Sequence, residues 1–349
     1  MKSSQQSMMG MRGSPQASLE MVLKYLHSTG EILWYHDNDD LRSTVFHRPE
    51  ALIDMLRAIF RHDFEEVAVF NEEISHYSSL TKSQFDKMKK DFIKRGLLTR
   101  ELLGYLLRLF QLSDEAPKSL VNLIFQVMLK FGLCFELNNP AASALVGSSN
   151  IVQFPWFFSE KKPKELESKW PDSLPNNMFE ISIEIAFSNQ APPNFFEKLS
   201  VKIQNFLTDT ERLNWRDGVF ATFNQSSLFV RRERRNSNTL VTISARSATN
   251  LQELWSLVLN VRRAALLLLK DWPLAKYEMY LVCLHCILNQ IDDAIRYPGH
   301  VLEQCIPRGT PCYMKCCEKL PDDEVPTAFV FPLDESSKIF FVGYTCNQM

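Results

Sequence analysis

Residues 23–63, LKYLHSTGEILWYHDNDDLRSTVFHRPEALIDMLRAIFRHD, decide the fold of the first half of this chain. An apolar pattern with helical spacing ends at Gly30, and residues 32–35 and 44–46 predict two strands joined by an Asp-rich turn. Pro49 predicts the start of a helix, because the N–H that proline lacks would be unpaired in a first helical turn anyway. The order helix, strand, turn, strand, helix is therefore visible within this one segment.

Length and composition indicate a globular chain with more than one core. The 349 residues, of which 45% are apolar, exceed one ordinary domain and suffice for two. A formal net charge of −2 gives no overall attraction to nucleic-acid phosphates or anionic membranes. The apolar run at residues 264–269 is far shorter than the ~20 residues that span a bilayer. Residues 1–18 lack the apolar core of a secretory signal, so we expect a cytoplasmic protein.

Prolines and changes of pattern divide the chain. Ile181, Ile183 and Ile185 alternate with polar residues in the segment 179–187, which predicts a strand that is buried on one face only. Prolines at three positions in residues 161–177 predict a linker that few contacts protect. We expect five parts: a flexible arm at 1–18, a subdomain of helices and small strands at 19–160, the linker at 161–177, a subdomain of strands and helices at 178–275, and a cysteine-rich extension at 276–349.

The order of these segments resembles a known family. The motifs GEILW at residues 30–34 and WRDGV at 215–219 carry the resemblance, together with the apolar segments between and around them. They are similar to the C-terminal-of-Roc (COR) domain of Roco proteins, and Arg61-His62-Asp63 resembles the malignant-fibrous-histiocytoma-amplified-sequence branch. The resemblance implies an α+β chain with a winged-helix-like α/β subdomain that packs against a Roc-type GTPase domain. It also implies an antiparallel-sheet-plus-helices subdomain through which Roco proteins form homodimers.

The sequence predicts no enzyme. A phosphate-binding loop needs the spacing Gly-x4-Gly-Lys-Ser/Thr, and none of the eleven glycines stands in it. We therefore expect no catalytic residue and no cofactor, with GTP bound only by a separate or missing Roc domain. Two alternatives stay open: a regulatory fragment of a full-length GTP-binding Roco GTPase, and a winged-helix nucleic-acid binder. The second would use Lys87, Lys90 and Lys94 on one face of a helix, but the acidic chain favours a solvated face.

The cysteines near the C-terminus leave a structural zinc site as an alternative to plain thiols. Zinc needs four ligands in a tetrahedron, often with a second close pair. The three-residue gap between Cys312 and Cys316 is allowed, but Cys305, Pro311 and Cys317 around it make no standard pattern. We therefore predict no metal site. The residues considered are Cys283, His285, Cys286, His300, Cys305, Cys312, Cys316, Cys317 and Cys346.

Five residues are candidates for a protein interface. Phe195, Phe196 and Trp215 supply more aromatic surface than one small sheet needs, and interfaces favour aromatic anchors. Arg231 and Arg232 belong to the densest basic cluster, residues 231–235, which lies between two strand-like segments. A solvated hairpin tip is one interpretation of this cluster, and a site for an acidic protein or a lipid headgroup is the other.

Overall fold

The protein is an α+β chain that divides into two compact units, residues 1–90 with 98–131 and residues 91–97 with 132–349. The structure is a computed structural model. It describes residues 15–74, 80–110, 118–137, 151–175, 177–207, 211–223, 225–234, 237–248, 251–283, 286–287, 291, 294–299, 314–315 and 324–325. The division falls near residue 131, whereas the sequence places the linker at 161–177.

The first unit is mostly helical. Its elements are α1 (Pro15–Thr29), β1 (Leu33–Trp34), β2 (Val45–Phe46), α2 (Pro49–Ile59), α3 (Phe64–Val67), α4 (Lys82–Arg95), β3 (Leu97–Thr99), α5 (Arg100–Leu109) and α6 (Lys118–Lys130). Both α4 and β3 include residues of the second unit. Helix α1 begins inside the predicted arm, and residues 1–14 lie outside the described residues.

The opening segment folds in the order that its sequence predicts. Gly30 ends α1 with a φ of +79°, which residues with a side chain rarely adopt. β1 and β2 pair antiparallel, with Leu33 opposite Phe46. Pro49 occupies the first turn of α2, and Leu52 and Ile59 are the buried residues of that helix. The predicted order of helices and strands is confirmed. It could be predicted because each signal acts within a few residues of its own position.

The second unit contains the large sheet. Its elements are β4 (Phe135–Glu136), β5 (Ile151–Gln153), a 3-10 turn (Pro155–Phe157), α7 (Leu166–Lys169), β6 (Phe179–Phe187), α8 (Phe195–Phe206), β7 (Arg212–Trp215), β8 (Gly218–Phe223), β9 (Ser226–Arg234), β10 (Thr239–Ser247), α9 (Leu251–Leu269), β11 (Tyr277–Val282), β12 (Arg296–Pro298), β13 (Met314–Lys315) and β14 (Glu324–Val325). Seven of these strands form one antiparallel sheet in the order β12-β11-β6-β10-β9-β8-β7. The sheet continues beyond residue 275, where the predicted sheet subdomain ends, because β11 pairs with β6.

Two helices cover one face of this sheet, which we call the inner face. Ile181, Ile183 and Ile185 of β6 join α8 and α9 in a single buried core. The expectation that β6 is buried on one face only is wrong, since Glu180 and Glu184 on the opposite, outer face are also buried. The reason lies in other strands of the sheet, since β10 and β12 supply a cation for each of these two glutamates.

Candidate interaction surface

Paired charges organise the outer face of the sheet. The register sets Glu180 of β6 opposite Arg246 of β10, and residues directly opposite on antiparallel strands share a face. Arg246 Nε lies 2.6 Å from Glu180 Oε2, and both side chains are buried. Farther along β6, Glu184 Oε2 accepts from Arg296 Nε at 2.6 Å.

These pairs fix the strand register. A slip of one residue would turn Glu180 and Glu184 into the apolar core and expose the isoleucines between them. A buried carboxylate that loses its cation costs several kcal/mol, on the order of 3–5. Between the two pairs, the hydroxyls of Ser182 and Ser244 lie 2.6 Å apart and satisfy each other. The outer face is therefore a rigid surface with one register.

Residues 159–171, which we call the strap, lie against this face. Leu166 and Trp170 are buried and pack on Trp215, Phe220 and Phe229. The Arg246 guanidinium lies 3.9 Å from the centre of the Trp170 ring and also donates from Nη1 to the carbonyl of Pro171 at 2.7 Å. The expectation of a linker with few protecting contacts is wrong for this part of residues 161–177.

The WRDGV motif forms the turn between β7 and β8. Trp215 and Gly218 pair across it, with Arg216 and Asp217 as the two turn residues. The Trp215 ring lies directly on Gly218, because a Cβ placed there would overlap the ring at Cζ2. Only glycine leaves room for this contact, which keeps Trp215 packed against Phe229 at a ring-centroid distance of 5.7 Å.

Residues 231–234 of the basic cluster lie within strand β9 and not at a hairpin tip. β9 continues to Arg234, which pairs with Thr239 of β10, while residues 235–236 lie outside the described residues. Arg232 is buried on the inner face, where it meets Glu197 Oε1 at 3.0 Å. Arg231 points to the other face by strand alternation, and 49% of its side chain is exposed.

The aromatic interface candidates are buried within the chain itself. Phe195 and Phe196 begin α8 and lie in the main core, with Phe195 against Phe187 at a centroid distance of 5.3 Å. Trp215 belongs to the cluster beneath the strap. The expected surplus of aromatic surface is wrong, because β6, the strap and the helices use it internally. Of the five candidates, Arg231 alone has a largely exposed side chain.

A cavity of about 350 Å³ opens on the outer face. Aromatic side chains of Trp170, Trp215 and Phe229 line it, together with the hydroxyl-bearing Ser244 and the guanidinium of Arg231. Cavities of this size are large enough for a small ligand or a few side chains. The sheet, the strap and the β7–β8 turn all contribute to its lining.

No reactive group stands out in the described part of the chain. Burial raises the pKa of the Cys134 thiol far above its usual range, which disfavours the nucleophilic thiolate. Cys283 and Cys286 are also buried, in the main core. Among the described residues, no three His, Cys, Asp or Glu side chains cluster as metal ligands. The remaining candidate ligands, His285, His300, Cys305, Cys312, Cys316, Cys317 and Cys346, lie outside those residues.

Sequence reasoning missed the residues that shape this surface. The sequence pattern marks Glu180 and Glu184 only as the polar side of a predicted strand, and it places Trp170 in a predicted linker. Two glutamates four residues apart in an otherwise apolar strand, with an arginine inside another apolar strand, were the available signal. Charges within apolar strands are buried only when paired, so this pattern indicates a matched pair.

Fold and surface together define an α+β protein whose largest element is a seven-stranded antiparallel sheet with buried ion pairs on its outer face. None of its described helices is long and apolar enough to cross a membrane. No known family profile matches the chain.

Curated relatives nevertheless match almost all of it. The chain is 24% identical to the malignant fibrous histiocytoma-amplified sequence 1 homolog of Mus musculus, over 92% of this chain and 32% of that protein. The malignant fibrous histiocytoma-amplified sequence 1 protein of Homo sapiens is also 24% identical, over 92% of this chain and 32% of that protein. The probable serine/threonine-protein kinase pats1 of Dictyostelium discoideum is 22% identical over 86% of this chain and 8% of its own length. The chain is thus distantly related to these Roco-family proteins and spans about a third or less of their length.

Proposed function

We propose that this chain is a non-catalytic interaction and dimerisation module of a Roco-type protein, which couples subunit association to an adjacent GTPase domain in signalling. The similarity that extends over 92% of the chain to the mouse and human relatives carries the proposal. The COR-like order of motifs supports it. The sequence contains no phosphate-binding loop, so nucleotide would be bound by a separate Roc-type domain.

The architecture supports a binding role. A sheet whose register is fixed by buried ion pairs presents the same surface in every copy, as a specific interface requires. A homodimer would use the same patch on both subunits, since two-fold contacts are the commonest among oligomers. Arg231 remains the interface candidate that a partner can reach.

Light scattering on the full chain over a concentration series tests dimerisation. We expect the mass to rise from one subunit to two, and to change when a Roc-type domain bound to GDP or to a non-hydrolysable GTP analogue is added. A monomer at every concentration, with and without that domain, contradicts dimerisation. A dimer fraction that is the same in both nucleotide states contradicts the coupling.

A second candidate is a regulatory fragment of a full-length GTP-binding Roco GTPase. It is favoured by the observation that the chain spans 32% of the length of its mouse relative. The coding sequence upstream of Met1 decides between them. A Gly-x4-Gly-Lys-Ser/Thr loop in that sequence supports the fragment, and its absence supports a module that acts beside a separate GTPase. In both cases the purified chain alone should show no saturable binding of labelled GTP.

A further inference from the structure

We propose that the outer-face cavity binds a carboxylate of a partner polypeptide, with an apolar side chain of that partner against the aromatic walls. Trp170, Trp215 and Phe229 form apolar walls in a cavity of about 350 Å³, and Arg231 lines the same space. The cavity would bind this carboxylate whether or not two copies of the chain associate.

The Arg231 guanidinium offers N–H donors to a carboxylate. The guanidinium lies over the Phe229 ring at 5.9 Å from the centroid, which holds the side chain against the face. Nε pairs with Glu233 Oε1 at 3.2 Å, an exposed contact within one strand. Among the described residues, neither of the two terminal nitrogens of Arg231 makes a hydrogen bond. Those two nitrogens can donate to both oxygens of one carboxylate, the strongest arrangement that a guanidinium makes.

The other charges of the cavity are already neutralised. Arg246 pairs with Glu180 at 2.6 Å, and Arg232 pairs with Asp217 at 2.7 Å. Lys162 and Asp172 are exposed there and have opposite charges. Arg231 is itself balanced by Glu233, which also lines the cavity, so the lining has no surplus positive field. An exposed pair of this kind is weak, and a single partner carboxylate can replace Glu233. A phosphorylated peptide or an anionic membrane would require several free cations.

Three blocked dipeptides test the site by isothermal titration calorimetry on the full chain. N-acetyl-Phe-Glu-amide offers a side-chain carboxylate, N-acetyl-Phe-Phe offers a terminal carboxylate, and N-acetyl-Phe-Gln-amide offers neither. We expect at least one carboxylate peptide to bind about tenfold more tightly than the glutamine peptide. Which of the two binds more tightly identifies the source of the carboxylate.

The variant Arg231→Gln should abolish this preference. The variant Lys202→Gln is its matched control, because it removes one positive charge from an exposed position of α8 that does not line the cavity. That control should retain the preference. Circular dichroism should show both variants folded, since both side chains are substantially exposed. Equal binding of the three peptides, no binding of any, or a preference that survives Arg231→Gln overturns the proposal.

Discussion

Arg232 and Asp217 are joined twice, once through their side chains and once through the backbone. Arg232 Nε donates to Asp217 Oδ1 at 2.7 Å, and the Arg232 backbone N–H donates to the Asp217 carbonyl at 2.8 Å. Nη1 of the same guanidinium donates to Glu197 Oε1 at 3.0 Å. Because Asp217 lies in the β7–β8 turn and Glu197 on α8, one side chain fastens the turn to the helix.

Removal of this guanidinium should strongly destabilise the sheet unit. The variant Arg232→Met keeps most of the apolar volume over Phe196, whose ring centroid lies 4.8 Å from the guanidinium carbon. It leaves Glu197, 13% exposed, without its cation. A loss of about 3–5 kcal/mol in the free energy of unfolding follows, measured by urea denaturation.

The double variant Arg232→Met with Glu197→Gln removes the stranded charge as well. It should recover part of that loss, because a neutral amide costs less to bury than an unpaired carboxylate. A single variant within about 1 kcal/mol of the wild type would show that the pair behaves as an exposed salt bridge.

Gly218→Ala should disrupt the packing of Trp215. The added methyl overlaps the indole at Cζ2, so the ring must leave its place beside Phe229. We expect a loss of about 2 kcal/mol or more in the free energy of unfolding and a change in tryptophan fluorescence.

Gly104→Ala is the matched control, because its new methyl lies in helix α5 and meets Val121 at an ordinary 3.5 Å. The control should be neutral or more stable by up to ~1 kcal/mol, and equal effects of the two substitutions would contradict the argument.

Sequence predicted the parts of the fold that depend on nearby residues. Pro49 and Gly30 define helix ends through their own backbone chemistry, and the isoleucines of β6 define its inner face through alternation. The outer face depends on contacts between distant residues, such as Arg246 and Glu180, which are 66 positions apart. Their pairing requires the strand order and register, and neither is encoded in a local pattern.

The aromatic interface candidates were misjudged for a related reason. Composition counts aromatic side chains but does not show whether a helix, a strap or a partner covers them. Phe195 and Phe196 are covered by the chain's own core, and Trp215 lies beneath the strap. The strap looked like a linker because its prolines indicate irregular backbone, which is compatible with tight packing as well as with free chain.

Thr242→Val should leave stability unchanged or increase it. The Thr242 hydroxyl is buried without a hydrogen-bond partner among the described residues, and valine has nearly the same shape. The gain should be on the order of 1 kcal/mol, because an unsatisfied hydroxyl no longer needs to be desolvated.

Thr239→Val in the same strand is the comparison. The Thr239 hydroxyl accepts from Ala191 N–H at 3.0 Å and donates to Gln190 Oε1 at 3.1 Å. Its loss should cost about 1–3 kcal/mol in urea denaturation. A larger loss for Thr242→Val than for Thr239→Val would show that Thr242 has a partner.

Trp170→Ala should convert the strap into a protease-sensitive segment. In the wild type, Leu166 and Trp170 are buried, and Arg246 holds both the Trp170 ring and the Pro171 carbonyl. Trypsin should therefore cut slowly at Lys164 and Lys169. Truncation of a buried tryptophan removes about 3–5 kcal/mol of local packing, so the opened strap should be cut about tenfold or more faster. Mass spectrometry of timed digests locates the first cut.

Glu167→Ala, which changes an exposed side chain of α7, should digest as the wild type does. First cleavage at Lys164 or Lys169 in the wild type, or equal rates in Trp170→Ala and wild type, would mean that the strap does not hold to the sheet in solution.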